Sequence, residues 1–296
     1  MSPAEAFSVN EALARHLIHE QFPELAPLPL IRQTTAGTAH ALFRLGSDLV
    51  ARFPMTPAAS LQCEKEHRWL REIATALPVP VPVPIHMGSP SNHYPAQWSI
   101  TRWFAGRAIW DEPSLEWITL AVNVANFIKA LSAIPPMGGP GPGAHNFGRG
   151  IDLSERDRPT REALCKASEF IPANRLEALW DRALSAMQPQ SATWIHGDLH
   201  GGNMIMKNGI LAAVIDFGGL AVGDPACDLA FAWYVLDRRG RERFRSELGA
   251  NDDLWLRAKG WALSVAAIQL PYYRKRNTRM EELATRTLSA ILDDET

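Results

Sequence analysis

The sequence predicts an α+β fold in which a small, strand-rich first part is followed by a larger, mainly helical part. From Ile31 to Pro54, short apolar runs alternate with polar turns, a pattern typical of antiparallel strands. From Leu115 onward, apolar residues recur at helical spacing in long segments. With 296 residues, 46% of them hydrophobic, the chain can bury one large core or two modest ones.

Charge and cysteine content exclude several classes of function. The formal net charge is −2, so the sequence offers no electrostatic basis for binding nucleic acid or an anionic membrane, and neither is expected as a partner. The three cysteines are widely spaced and odd in number, which argues against a disulfide framework and for a reducing compartment. The N-terminal stretch carries early acids and no long apolar run. We therefore expect a cytoplasmic protein.

The first elements follow from local pattern. Residues Val9 to Gln21 place Leu13, Leu17 and Ile18 at helical spacing, which predicts a helix packed on the small part. The stretch that begins at Ile31 reads as strand, polar loop, strand, tight turn at Gly46-Ser47-Asp48, and strand.

The next segment, Ala58 to Leu77, is predicted to be a helix that carries a buried carboxylate. Its apolar stripe extends back to Glu66, whereas Glu64 falls on the polar face. A carboxylate at the edge of a buried stripe needs a cationic partner, and Arg52 in the preceding strand is the candidate. The alternatives are a solvated Glu66 paired within its own helix, and Glu64 as the partner of Arg52.

The remaining segments alternate between connectors and helices. Leu77 to Pro84 has a proline at every second position, which predicts an extended connector, and Trp98 to Phe104 reads as a strand. Asp224-Pro225 resembles a helix start in which Asp224 is the N-cap. Further helices are predicted within residues 115–134, 154–187, 252–273 and 281–292.

The most informative stretch runs from Ala192 to Leu220. Asn208-Gly209 is a strong signal for a two-residue hairpin turn between short apolar strands. With that turn, Asn203 faces Val214, and Asp216 becomes a diagonal neighbour of Asn203, roughly 7–8 Å away at the backbone. Asp198 lies in the loop just before. Two acids and an amide at one end of a hairpin suit a magnesium-assisted reaction on a phosphorylated substrate.

These residues resemble a known family. His196-Gly197-Asp198, then Asn203, then Ile215-Asp216-Phe217-Gly218 resemble the catalytic and metal-binding segments of the protein-kinase-like fold. The His-Gly-Asp form, followed by Gly223-Asp224-Pro225 and Asp228-Leu229-Ala230, is similar to the aminoglycoside phosphotransferase family. The resemblance implies two lobes: a nucleotide-binding lobe, residues 1–103, and a catalytic and acceptor-binding lobe, residues 104–296.

The resemblance also assigns roles in the second lobe. It implies that Asp198 accepts the proton of an acceptor hydroxyl, while Asn203 and Asp216 hold Mg²⁺ between the nucleotide phosphates. His196 is expected to hold the loop rather than act as an acid or base. Asp228 is expected to point inward and brace the same loop, through its backbone or through His196.

For the nucleotide, ATP or GTP, the resemblance implies a second set of residues. Gly37 and Thr38 lie in the phosphate-covering loop, Thr34 to His40, and Arg52 stands where protein kinases have a phosphate-binding lysine. The family pattern pairs that position with Glu66. Along the strand to the hinge, Thr101 would line the back of the pocket, and the backbone of Arg102 and Phe104 would bind the purine.

The acceptor is left open. A polycationic aminoglycoside would favour an acidic pocket, yet from Asp237 to the C-terminus there are 12 Lys/Arg against 10 Asp/Glu. An aminoglycoside or another antibiotic is therefore one expectation, and a metabolic alcohol with a choline-like or amino-acid hydroxyl is the alternative. A catalytically weak nucleotide-binding homologue is a third reading, suggested by Arg52 and the glycine-poor loop.

A zinc hydrolase built on His196, Asp198 and His200 is disfavoured. Such a site commonly needs three protein ligands, often with more than one histidine. All nine histidines lie at or before His200, and this scheme leaves the hairpin spacing unused.

Overall fold

The computed structural model describes residues 7–33, 39–112 and 114–295. Two compact units divide the chain: one comprises Met1–Gly106 and Ala212–Gly218, the other Arg107–Leu211 and Gly219–Thr296. The sequence-based division places its boundary after residue 103 and assigns everything beyond it to the second lobe. That division does not include Ala212–Gly218 in the first part, whereas these residues belong to the first unit here.

The first unit contains a five-stranded antiparallel sheet. Its spatial order is β1, β2, β3, β5, β4, with β1 Leu30–Arg32, β2 His40–Leu45, β3 Leu49–Pro54, β4 His86–Gly88 and β5 Trp98–Arg102. The turn between β2 and β3 occupies residues 46–48, as predicted, and Gly46 adopts a φ of 63°, which a glycine tolerates without strain. No strand is assigned to residues 77–85, in agreement with the alternating prolines there.

Aromatic side chains fill the core beneath this sheet. Trp98 stacks on Phe53 with ring centroids 4.6 Å apart, and both are fully buried. The backbone of Gly88 approaches the Trp98 ring so closely that a Cβ there would lie 1.9 Å from it. The predicted first helix, α1 Glu11–Gln21, starts at an Asn10 cap and buries Leu17 and Ile18 in this core.

Helix α2, Pro57–Ile73, packs its apolar stripe inward. It begins after Thr56, whose side chain accepts the Ala59 N–H, and it buries Glu66 on the same face as Trp69 and Ile73. The helix ends four residues before the predicted end at Leu77. A short 3-10 turn, Ala74–Ala76, follows, and Leu77 takes extended backbone, as the residue before a proline prefers.

The second unit is mainly helical. Its helices are α3 Trp117–Ala133, α4 Asp157–Ala167, α5 Ala173–Ser185, α6 Ala226–Leu229, α7 Phe231–Val235, α8 Arg238–Leu248, α9 Asp252–Tyr273 and α10 Thr278–Asp293. The predicted bounds of α9 match the observed ones. The sequence analysis did not predict α8, which is polar over most of its length and buries Phe244 and Arg241.

Helix α6 starts one residue later than the sequence suggests. The Asp224 side chain accepts the Ala226 N–H and also forms an ion pair with Arg257 of α9, at 2.9 Å. Both side chains are at most 5% exposed. Asp224 therefore stabilises the start of α6 and connects it to α9.

Short strands form and flank the predicted hairpin. They are β6 Arg107–Ala108, β7 Thr193–Ile195, β8 Met204–Lys207, β9 Ile210–Val214 and β10 Ala221–Gly223. The hairpin turn is confirmed, because β8 ends at Lys207, β9 begins at Ile210, and Asn208 and Gly209 have φ values of 53° and 76°. The boundary between the two units falls inside β9.

The secondary structure confirms the predicted α+β class, with an antiparallel sheet in one unit and mainly helices in the other. Within the described ranges, none of the helices combines the length and the apolar character required to span a bilayer.

Candidate active site

The loop that follows β7 is held from behind by one buried carboxylate. Asp228, which is 1% exposed, accepts the backbone N–H groups of His196 and Gly197 at 2.7 and 2.8 Å. Burial is the largest influence on this acid and raises the pKa of Asp228 to about 7, although both hydrogen bonds favour the ionised form. The predicted inward orientation of Asp228 and its contact with the loop backbone are both present.

The backbone of this loop has no room for a side chain at residue 197. Gly197 adopts a φ of +80°, and a Cβ there would lie 2.4 Å from the carbonyl oxygen of Gly219. The Asn146 side chain donates to that same oxygen and to the Arg149 carbonyl, at 3.2 and 2.9 Å. Backbone packing therefore fixes the direction in which the next residue, Asp198, leaves the loop.

His196 is fully buried, and its Nδ1 accepts the Asp198 N–H at 3.2 Å. A buried histidine bonded to the loop backbone has the structural character that the sequence analysis expects. It shapes the turn rather than facing solvent.

Asp198 is the polar side chain that this loop presents to solvent. It is 43% exposed, and its two oxygens face Arg149 at 3.6 Å and His200 Nε2 at 3.5 Å. Burial opposes its ionisation, but His200 and then Arg149 outweigh that effect and hold the pKa of Asp198 well below its usual range. The carboxylate is thus ionised at neutral pH and able to orient a hydroxyl group.

His200 is itself fixed by two contacts. Its Nδ1 accepts the Gly202 N–H at 3.0 Å, so in the neutral ring the proton resides on Nε2, the nitrogen that faces Asp198. The ring stacks on Trp110, with centroids 4.7 Å apart and planes 7° apart. A Cβ at Gly201 would lie 2.4 Å from the Trp110 ring, so the glycine permits this close packing.

Asn203 is 7% exposed and lies directly before β8. Its amide nitrogen donates to the Asp198 carbonyl at 3.0 Å, which turns the amide oxygen away from the loop. Mg²⁺ prefers oxygen ligands, and an oriented amide oxygen is one of them. Asn203 therefore offers a ligand of the kind that suits a magnesium ion.

The first unit contains the predicted strand-to-helix ion pair. Two nitrogens of Arg52 lie 2.6 and 3.4 Å from the two carboxylate oxygens of Glu66, and these residues are 8% and 1% exposed. Burial raises the pKa of Glu66, whereas Glu66 overcomes burial and raises the pKa of Arg52. Because both oxygens receive Arg52 N–H groups, we treat the pair as ionised. Glu64 is exposed and is not the partner.

Asp216 follows β9 and belongs to the same unit as Arg52. It is exposed and adopts a φ of 63°, an unusual value for a residue with a side chain. Two residues on, the Gly218 carbonyl accepts Lys65 Nζ from α2 at 2.6 Å. The negative charge of Asp216 acts on Arg52, Lys65 and Glu66, so these groups share one electrostatic environment.

Of the other residues predicted to contact the nucleotide, the structure describes three. Thr101 is fully buried in β5 opposite Val50, Arg102 is exposed, and Phe104 is half-buried just after the strand. Gly37 and Thr38 lie outside the described residues. The roles of all five in nucleotide binding stay predictions.

Sequence reasoning missed Arg149, which faces Asp198, and Trp110, which stacks on His200. Arg149 lies in a Gly- and Pro-rich stretch, residues 135–150, and Trp110 precedes α3 with no motif around it. The signal available was an arginine between two glycines, Gly148 and Gly150, which alone is too common to single out. His200 was considered only as a zinc ligand.

Within the described part of the chain, no group of three His, Cys, Asp or Glu side chains is arranged to hold a metal ion.

Comparison with known proteins gives a family match and matches to solved structures. The family model described as the phosphotransferase enzyme family matches residues 31–261. A search of curated protein sequences finds no match.

Among solved structures, the GDP complex of aminoglycoside 2'-phosphotransferase-IIIa matches with a TM-score of 0.75 and 18% identity, over 97% of this chain and 100% of that one. A GDP and kanamycin complex matches with a TM-score of 0.70 and 19% identity, over 96% and 99%. The macrolide 2'-phosphotransferase from Brachybacterium faecium matches with a TM-score of 0.63 and 18% identity, over 94% and 98%. These likenesses confirm the fold expected from the catalytic motifs.

Proposed function

The chain belongs to the phosphotransferase enzyme family, and from this premise we propose that it transfers the γ-phosphoryl group of ATP or GTP to a hydroxyl group of a small molecule. The observation that carries the proposal is the environment of Asp198. Its ionised carboxylate stands on a loop that Asp228 holds by two hydrogen bonds, with Arg149 and His200 on either side.

In the proposed reaction, Asp198 accepts a hydrogen bond from the acceptor hydroxyl and orients its oxygen toward the γ-phosphorus. A bond forms between that oxygen and the phosphorus, the bond to the β–γ bridging oxygen breaks, and the hydroxyl proton passes to Asp198 and then to solvent. The products are a phosphate ester and a nucleoside diphosphate. Since such transition states are loose, placement and charge neutralisation supply most of the acceleration.

Asn203 and Asp216 are the residues that would hold Mg²⁺, which when bound neutralises phosphate charge. Arg52, oriented by Glu66, is proposed to contact the nucleotide phosphates in place of a lysine. Gly37 and Thr38 are proposed to cover those phosphates, and Thr101, Arg102 and Phe104 to line the purine site.

The structural relatives suggest candidate acceptors for this chain. Those relatives include complexes with kanamycin, gentamicin and streptomycin and two macrolide phosphotransferases, so an antibiotic hydroxyl is one candidate. A metabolic alcohol is the other candidate. A cytoplasmic location accords with the three cysteines, all of which are free.

The test is Asp198→Asn in the full chain. Losing the carboxylate should lower acceptor-stimulated diphosphate release by about 10³-fold, because general-base placement contributes about that much, while nucleotide affinity changes little. Diphosphate release over a panel of hydroxyl acceptors measures the first quantity, and calorimetric titration with magnesium nucleotide measures the second. Asp181→Asn, an exposed aspartate of α5, is the matched control.

An Asp198→Asn enzyme with full activity would contradict the assigned role. A wild-type protein that binds nucleotide but releases no diphosphate with any acceptor would instead be the catalytically weak homologue considered above.

A further inference from the structure

The turn that carries Asp216 is held by a side chain of α2. Lys65 Nζ donates to the Gly218 carbonyl at 2.6 Å, two residues beyond Asp216. Both partners belong to the first unit, because that unit includes α2 and residues 212–218. Lys65 is half-buried and Gly218 is buried. Since a hydrogen bond from an ammonium group is stronger than one between neutral groups, Lys65 anchors this turn to the helix.

The Asp216 carboxylate lies close to the residue that Lys65 holds. A Cβ at Gly218 would be 3.3 Å from Asp216 Oδ1 and 3.0 Å from the side chain of Gln62, which precedes Lys65 by about one turn of α2. Asp216 has a φ of 63°, a backbone conformation that persists only where the surroundings hold it. The direction of the Asp216 carboxylate therefore depends on where α2 holds Gly218.

Lys65 and Glu66 are consecutive in α2 and hold two different parts of the first unit. Glu66 accepts the N–H groups of Arg52 with both oxygens, whereas Lys65 holds the turn of Asp216. Burial lowers the pKa of Lys65 to about 8, so at neutral pH the side chain is mostly an ammonium group. One turn of α2 thus anchors both the arginine proposed for the phosphates and the turn that carries a proposed metal ligand.

We propose that Lys65 is a positioning residue for magnesium binding: by holding the Gly218 carbonyl, it keeps the Asp216 carboxylate in the orientation that binds the metal. This inference rests on the proposed phosphotransferase function and adds a residue outside its motifs. Removal of a group that orients a metal ligand typically costs about 10- to 100-fold in metal affinity. A role in folding alone would lower stability and leave magnesium affinity unchanged.

The test separates magnesium affinity from nucleotide affinity in the full chain. Calorimetric titration with ATP and with GTP gives the nucleotide Kd at a series of magnesium concentrations and in excess chelator. We expect Lys65→Met, which removes the donor, to raise the magnesium concentration for half-maximal effect by about tenfold. The nucleotide Kd in chelator should stay at the wild-type value.

Three further variants separate the donor from charge and folding. Arg68→Met removes an exposed positive charge from the same helix and should need the wild-type magnesium concentration. Lys65→Arg keeps a charged donor of different geometry and should fall between wild type and Lys65→Met. Lys65→Gln keeps only a neutral donor, and it carries the same test if Lys65→Met does not fold.

A double variant tests whether Lys65 acts through Asp216. In the Asp216→Asn background, adding Lys65→Met should produce no further change in the nucleotide Kd measured with magnesium. Residues that act through one another are not additive, whereas independent residues are.

The inference is overturned if Lys65→Met needs no more magnesium than Arg68→Met, if nucleotide affinity in chelator falls as much as in magnesium, or if the two effects add in the double variant. If wild type binds magnesium nucleotide and loses magnesium affinity in Lys65→Met, but releases no diphosphate with any acceptor, the positioning role stands and the proposed function fails. If wild type shows no magnesium-dependent binding of either nucleotide, both fail.

Discussion

At the scale of single residues, the environment of Asp198 depends on neighbours that share no motif with it. His200 faces one carboxylate oxygen with a nitrogen whose protonation is set by the Gly202 N–H, and Trp110 stacks flat on the ring. We infer that His200 is a positioning residue, which holds the carboxylate and lowers its pKa without touching the acceptor.

Replacing His200 by Asn should expose this role in the pH profile. Since His200 helps to keep the pKa of Asp198 low, its loss should raise that pKa and move the acid limb of kcat/KM to higher pH. The acid limb moves to higher pH because the reaction needs the ionised carboxylate. With a higher pKa, Asp198 becomes protonated at a higher pH, and activity is lost there. The kcat should fall by about tenfold, which is within the range seen when a residue that orients a functional side chain is removed.

The same profile from Trp110→Phe should lie between those of wild type and His200→Asn, because phenylalanine keeps part of the stack. His19→Gln, in α1, is the control and should change neither limb. If the acid limb of His200→Asn is not shifted, His200 does not have the proposed positioning role.

At the scale of elements, α2 and β3 are joined by a buried ion pair rather than by apolar packing alone. Glu66 lies on the apolar stripe of α2, and its two oxygens are the partners of Arg52 in β3. Breaking one side of such a pair leaves a buried charge without compensation.

We therefore expect Glu66→Gln to lower the free energy of unfolding by about 3 kcal/mol, the usual cost of an unpaired buried charge. Denaturant titration monitored by fluorescence measures this, since the first unit contains buried tryptophans such as Trp98. Glu64→Gln removes the same charge from the exposed face of α2 and should change stability by less than about 0.5 kcal/mol. Equal losses in the two variants would mean that the pair contributes nothing specific.

At the scale of the whole molecule, the proposed function requires that nucleotide and metal bind together. A ligand that binds only the folded protein stabilises it by mass action, by about 2.7 kcal/mol at a hundred times its Kd. We expect magnesium with ATP or GTP to raise the Tm of the full chain, and excess chelator to remove most of that increase.

Asp216→Asn should abolish the magnesium-dependent part of the shift, because an amide is a weaker ligand than a carboxylate for a hard cation. Asp48→Asn, an exposed aspartate of the first unit, is the control and should keep the shift. A magnesium-dependent shift that survives in Asp216→Asn would exclude Asp216 as a metal ligand.

Local sequence patterns predicted many features of the fold. The hairpin turn at Asn208-Gly209 was predictable because both residues tolerate positive φ, and the burial of Glu66 and Asp228 followed from their places on apolar helix faces. Helix α8 escaped prediction because it buries little apolar surface, and the helical turns of α2 and the 3-10 segment stop before Leu77 because that residue, directly before Pro78, takes extended backbone.

The sequence by itself determined the α+β class, most of the order of elements and the spacing of Asp198, Asn203 and Asp216, because hydrophobic period, turn chemistry and motif spacing are local properties of the chain. Only the tertiary structure decided what surrounds Asp198. Arg149, which faces Asp198, comes from about 50 residues earlier, and Trp110, which stacks on His200, from further still. Their approach depends on how distant elements pack, which no local pattern encodes.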